Sequence, residues 1–204
     1  MSKITELSIQ VKNKNRCNLY LDGEFFRGVS LEIVYKFHLK VGMEIEPNKL
    51  NEIISHAEFD EAVIKAINYL SKYVKTKKQV KTYLLSKGYP EETVYKVIDK
   101  LKEYNYINDK DYSVKYIEST AKSQGQKLLA YKLMNKGVKK SDIENALDET
   151  QIDFKQNALI LAKKHAKNKE ITIKQLQKTY RYLINKGFSY EDANYAISII
   201  KQET

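Results

Sequence analysis

The sequence predicts a mainly α protein: three tandem three-helix repeats forming an elongated curved array, preceded by a small N-terminal β-hairpin element. Three observations carry this. Helix endings of one kind recur at Tyr83 to Tyr89, Tyr131 to Val138 and Arg181 to Phe188, each closing on Lys-Gly and an apolar residue. The glycines Gly88, Gly137 and Gly187 stand 49 and 50 residues apart, a period that marks copies of one supersecondary unit. The first fifty residues follow another pattern, short apolar runs cut by turn formers. The division expected is residues 1–50 for the strand-rich element and 51–110, 111–150 and 151–204 for the repeats.

In the N-terminal element the runs are Ile4 to Val11, Cys17 to Leu21 and Phe25 to Val29, separated at Asn13-Lys14-Asn15 and at Asp22-Gly23. Asp-Gly between apolar runs is a hairpin signal. A short helix is expected around Leu31 to Leu39, a turn at Gly42, and a further helix from Pro47-Asn48 leading into the first repeat. So small a sheet would have to dock on the helices to be stable.

Within each repeat the glycine ends a helix in the left-handed conformation, acting as a structural cap, and the next residue packs back on the last turn. A new helix follows, opened by Pro90 in the first repeat, and in the others by Ser141 and Ser189 with an acid three residues on. Its apolar positions match from copy to copy: Val94, Val97 and Ile98; Ile143, Ala146 and Leu147; Ala193, Ala196 and Ile197. A helix upstream of each pair is marked by Ala62 to Leu70, Tyr112 to Thr120 and Ala158 to His165. Three helices in each of three units make nine.

The chain is 42% apolar and 30% charged with no Trp, a balance that suits thin repeat cores. It has no apolar run long enough to cross a membrane and no secretory leader at Met1 to Glu6, so a cytoplasmic protein with no membrane partner is expected. Cys17, the single cysteine, falls in an expected strand and reads as a buried thiol.

Net charge is +10, and residues 151–204 carry ten basic against five acidic residues. In the middle helix of that repeat Lys174, Lys178 and Arg181 lie opposite Leu176, Tyr180, Leu183 and Ile184. Lys163, Lys164, Lys167 and Lys169 precede it. In the first repeat Lys75, Lys77, Lys78 and Lys81 gather near an expected inter-helix turn. Such clusters suit a phosphate backbone. They also suit a merely solvated lysine surface, and with arginine present only at Arg16, Arg27 and Arg181, reading of bases is disfavoured. The sixteen tyrosines could stack on single-stranded bases, but Tyr69, Tyr83, Tyr95 and Tyr104 are spaced as core or half-core residues.

No Gly-rich phosphate loop and no nucleophile elbow occurs, and His38, His56 and His165 lack partners at metal-ligand spacing. Asn108-Asp109 reads as a helix N-cap, with Asp109 and Asp111 no acid pair. No catalytic, metal or cofactor site is expected.

The run Ala66 to Ser71, then Thr76 to Tyr89, then Val97 to Asp109, resembles the first repeat of the RecX family, the bacterial recombination regulators. Tyr112 to Ile117, Gly125-Gln126-Lys127 and Leu133 to Val138 continue the likeness, which covers about residues 60–200. The strand-rich leader is similar to that of versions from low-GC Gram-positive bacteria. One departure is the third repeat, where Ile171-Thr172-Ile173 stands at the position of Gly125. The resemblance implies a non-enzymatic modulator without cofactor that binds the RecA filament on single-stranded DNA; a monomer is expected, with duplex DNA bound weakly at most. It would block strand exchange and ATP hydrolysis, its repeats touching successive protomers. The alternative from the helix pairs alone is a helix-turn-helix protein binding DNA independently of RecA.

Overall fold

The computed structural model describes residues 1–167 and 170–203. It holds a four-stranded sheet and ten α-helices among those residues. Contacts divide the chain into two units, residues 1–74 with 80–107, and residues 75–79 with 108–204.

The first unit opens on β1 (Ser2–Ile9), β2 (Arg16–Leu21) and β3 (Glu24–Ser30), an antiparallel meander. Asp22 and Gly23 form its second turn with φ of 50° and 88°, the double positive φ of a two-residue hairpin whose twist matches the strands. After α1 (Leu31–Lys36) a two-residue strand, β4 (Glu44–Ile45), pairs with the other edge of β1, so the element is a sheet ordered β3-β2-β1-β4, larger than a hairpin.

The helix beginning at Pro47 does not lead into the first repeat; it is the first repeat's first helix. α2 (Pro47–Leu70) runs 24 residues unbroken, its opening N–H groups at Asn48 and Lys49 donating to the Glu46 carboxylate. The boundary expected at residue 50 therefore falls inside a helix. Leu50, Ile54 and Ala57 complete a core with Ile4, Leu19, Val29 and Ile33, while Ala62 and Ala66 face a second core. That second core is closed by α3 (Lys77–Ser86) and α4 (Glu91–Glu103) through Val80, Leu84, Val94, Val97, Ile98 and Leu101. Ile64, within the stretch Ala62 to Leu70 that marks this helix in the sequence, is 60% exposed.

Between the two cores sits Glu58, with no exposed surface. Arg16 from β2 donates to one carboxylate oxygen at 2.8 Å and Arg27 from β3 to the other at 2.5 Å, and Arg16 also donates to the Gly28 carbonyl. Two of the three arginines in the chain thus hold the sheet to α2. Nearby, burial acts to raise the Glu61 carboxyl, but donors led by Lys65 and Ser30 outweigh it and hold the group below the usual carboxylate range. Cys17 is buried in β2, and burial pushes its thiol up despite Arg16 beside it.

The second unit contains α5 (Asp109–Thr120), α6 (Gln126–Asn135) and α7 (Lys140–Thr150), then α8 (Phe154–Ala166), α9 (Ile173–Asn185) and α10 (Tyr190–Gln202). Ile117, Leu129, Leu133, Ile143 and Ala146 form one core; Ala158, Ala162, Leu183, Phe188, Ala193 and Ala196 form the other. Asn108 caps α5 and Ser189 caps α10 in a reciprocal box with Asp192. Ser141 is no cap: α7 begins one residue earlier at Lys140 behind Lys139, which has no side-chain acceptor. Pro90 likewise stands just outside α4, as its N-cap.

The endings of α3, α6 and α9 are one structure three times over. Gly88, Gly137 and Gly187 have φ of +86°, +87° and +86°. In each, the glycine N–H donates three residues back and the following N–H five residues back, to Leu84, Leu133 and Leu183, the Schellman pattern. Tyr89, Val138 and Phe188 are buried behind them.

Candidate functional site

Each Lys-Gly turn receives a hydrogen bond from a loop earlier in the chain: the first from the loop between β1 and β2, the others from the loop between the first and second helices of the repeat before. The Asn13 amide donates to the Lys87 carbonyl at 3.3 Å, the buried Thr76 hydroxyl to the Lys136 carbonyl at 2.7 Å, and the Gly125 N–H to the Lys186 carbonyl at 2.8 Å. Contact is close there. A Cβ on Gly125 would lie 2.2 Å from the Phe188 nitrogen, and one on Gly187 would lie 2.3 Å from Leu128 Cβ. Gly125 is therefore present for approach to the next turn. The start of α9 covers no such turn among the described residues, and Ile173 there is 78% exposed, which accounts for the β-branched Ile171-Thr172-Ile173.

The side chains of the same lysines share a second geometry. Lys87 Nζ lies 5.4 Å from the Tyr83 ring centre, and Tyr83 stacks on Tyr69 at 4.1 Å and 5°. Lys136 Nζ lies 6.0 and 5.6 Å from Tyr112 and Tyr116, themselves stacked at 6.1 Å. Lys186 Nζ lies 5.4 Å from Tyr182, which stacks on His165 at 4.4 Å. All six rings are half-buried. Among the described residues none of these three ammonium groups makes an ion pair. The spacing Tyr83-Lys87 and Tyr182-Lys186 was a readable signal; the rings supplied by α5 to Lys136 were not.

The lysines singled out by charge fare differently. Lys81 donates to Glu91 at 2.8 Å and to the Tyr95 hydroxyl at 2.6 Å, and these contacts hold its ammonium above the usual lysine range. Lys163 is paired with Glu203 at 2.6 Å. Lys78 lays its stem where a Gly137 side chain would go, with Nζ reaching the Asn135 carbonyl at 3.4 Å. Lys75 and Lys77 are half-buried, and the Lys77 N–H donates to Asp109, so that carboxylate holds the start of α3. Lys169 lies outside the described residues. Lys164, Lys167, Lys174, Lys178 and Arg181 are exposed and, among the described residues, unpaired. On α9 the last three lie opposite buried Thr179 and Leu183, a basic face beside a structured one.

Tyr95 and Tyr104, placed in or near the core from spacing, are 46% and 63% exposed. His56 pairs with Asp60 one turn on, and His165 Nδ1 meets the Thr179 hydroxyl at 3.0 Å. The described residues hold no cluster fit for a metal ion, and no described helix is long and apolar enough to cross a membrane.

Comparison with known proteins agrees with this architecture. Family models match residues 2–46 as the regulatory protein RecX N-terminal domain, 62–101 as the first RecX three-helix domain and 155–197 as the third. The regulatory protein RecX of Clostridium botulinum is 40% identical over 200 residues, covering 94% of this chain and 92% of that protein. That of Clostridium perfringens is 33% identical across all of this chain and 97% of its own. A crystal structure of regulatory protein RecX superposes with a TM-score of 0.65 at 26% identity over 95% of this chain and 98% of that one. RecX from Lactobacillus salivarius gives 0.66 at 26% identity, over 72% of this chain and 99% of its own. With a shared strand element, shared three-helix units and relatives this similar along nearly the whole length, the chain belongs to the RecX family of regulatory proteins.

Proposed function

We propose that this protein binds the RecA filament on single-stranded DNA in the cytoplasm and inhibits its recombinase and ATPase activities, modulating recombination and repair without chemistry of its own. Membership of a family of regulatory proteins is the observation that carries the reading. The unpaired basic face of α9 supports it, because cations not neutralised by their own chain remain available to a polyanion. The test is RecA-dependent ATP hydrolysis and strand exchange on single-stranded DNA. Substoichiometric protein is expected to depress both, and the protein alone to hydrolyse no ATP. Unchanged RecA activity at equimolar protein would remove the reading.

The α9 face gives a second expected result. Lys174→Glu, Lys178→Glu and Arg181→Glu together reverse the local field on an exposed face, where substitutions alter stability by about 0.5 kcal/mol or less each. The triple variant should keep its helical circular dichroism and lose most binding to RecA-coated single-stranded DNA, and wild-type binding should weaken with salt. Equal inhibition by variant and wild type across the same salt range would mean that this face is only solvated.

A further inference from the structure

We propose that Lys87, Lys136 and Lys186 are phosphate receptors, each ammonium taking one phosphodiester of a single-stranded nucleic acid backbone. The inference deepens the proposed function and rests on its reading that single-stranded DNA is bound.

The first support is a recurrence that the turn does not demand. A Schellman ending needs a left-handed residue at the glycine and an apolar residue after it, but it places no requirement on the side chain just before the glycine. Lysine stands there in all three units. A cation near a helix C-terminus does gain from the helix dipole, by an amount any position in the last turn would supply. Yet the carbonyl of each of these lysines is already bonded, to Asn13, Thr76 and the Gly125 N–H. Capping accounts for the glycines, then, and leaves the lysine side chains without a task.

The second support is their setting. Each Nζ stands within 6.0 Å of a half-buried ring that is itself held in a stack. A flexible lysine so placed has less freedom left to lose on binding an anion. With one face of Tyr83 and of Tyr182 taken by Tyr69 and His165, these rings position the cation; they are not platforms for a base. Several lysines elsewhere face acids, as in Lys96 with Glu92, Lys110 with Glu149 and Lys140 with Glu144; these three, like the exposed Lys164, Lys167, Lys174 and Lys178, face none among the described residues.

The chemistry suits a phosphate backbone. An ammonium is a point charge that binds a phosphate oxygen from many directions, whereas the planar fork of arginine asks for a bidentate partner in one orientation, carboxylate or phosphate. Two of the three arginines here are committed to Glu58. A repeated point charge indifferent to direction suits a backbone that presents the same group at every nucleotide, whatever the base.

The experiment is a salt titration of binding to fluorescent oligo(dT) by the protein alone, without RecA. Three proteins are compared: wild type, Lys87→Gln/Lys136→Gln/Lys186→Gln, and a charge-matched control, Lys96→Gln/Lys110→Gln/Lys140→Gln. Three lost phosphate contacts should reduce the slope of log affinity against log salt by about 2, at about 0.7 per contact on a single strand. The control should keep the wild-type slope, and Arg at the three turn positions should restore it. Thermal melting read alongside separates the alternatives, because a purely structural role at the helix ends would lower the melting temperature and leave the slope alone. Equal slopes in all three proteins, equal losses in both triple variants, or no binding of oligo(dT) by wild type at low salt would each overturn the proposal. If wild type nevertheless inhibits RecA, the proposed function stands without these contacts; if it does not, that reading fails on its own assay.

Discussion

Glu58→Ala is expected to lower stability by about 3–5 kcal/mol, because it leaves a buried guanidinium, that of Arg16, and a half-buried one, that of Arg27, without their counter-ion. Arg16 and Arg27 have side chains only 6% and 17% exposed, and each donates to a carboxylate oxygen of Glu58. Neither can recover full hydration without pulling the sheet from α2. Urea unfolding followed by far-ultraviolet circular dichroism measures the effect, and a loss below about 1 kcal/mol, the value of an exposed ion pair, would contradict it. Replacing all three residues together by apolar ones of similar volume should return much of the loss. Desolvating the charges is itself costly, so the penalty belongs to the unpaired state.

The second large effect is expected at Gly187. Alanine there meets two obstacles: a backbone at φ +86°, and a Cβ 2.3 Å from Leu128 Cβ and 2.5 Å from the Leu128 nitrogen. Left-handed strain of about 1–2 kcal/mol and overpacking of about 1–3 kcal/mol add to a predicted destabilisation of about 2–5 kcal/mol. Gly23 supplies the comparison. It has φ +88° but nothing within 4 Å of its missing Cβ, so Gly23→Ala should show the strain alone, about 1 kcal/mol. Equal losses at the two positions would mean that the packing of Leu128 on the turn carries no energy. Gly88→Ala should also cost more than Gly23→Ala, since its new Cβ meets Arg16 Cδ at 2.9 Å and that side chain is held by Glu58.

Much of the fold was legible because helix period and turn chemistry are local. The strand-rich start, the Asp22-Gly23 turn and the nine helices of the three units follow from residues near one another in sequence. Four features were not legible, each for a physical reason. α2 is continuous because its two halves bury against different cores, and no breaker marks the change of face between Ala57 and Ala62. β4 is two residues long, too short to leave a period. Ser141 resembled a cap by type and spacing, but the helix had already begun. The free cations could not be told from the paired ones, since Lys163 finds its acid 40 residues away and Lys81 finds Glu91 across a turn. Charge runs locate lysines; only the packing of helices shows which of them remain unneutralised.

The bonds to the three Lys-Gly turns use donors of three different kinds: a side-chain amide at Asn13, a hydroxyl at Thr76 and a main-chain N–H at Gly125. The acceptor each time is a main-chain oxygen, a group that every amino acid possesses. A joint of that kind is insensitive to spelling. Mutation can rewrite the letters on either side so long as some donor arrives and the glycine still turns left, and three copies within one chain are then free to drift until little beyond the Lys-Gly pair remains in common.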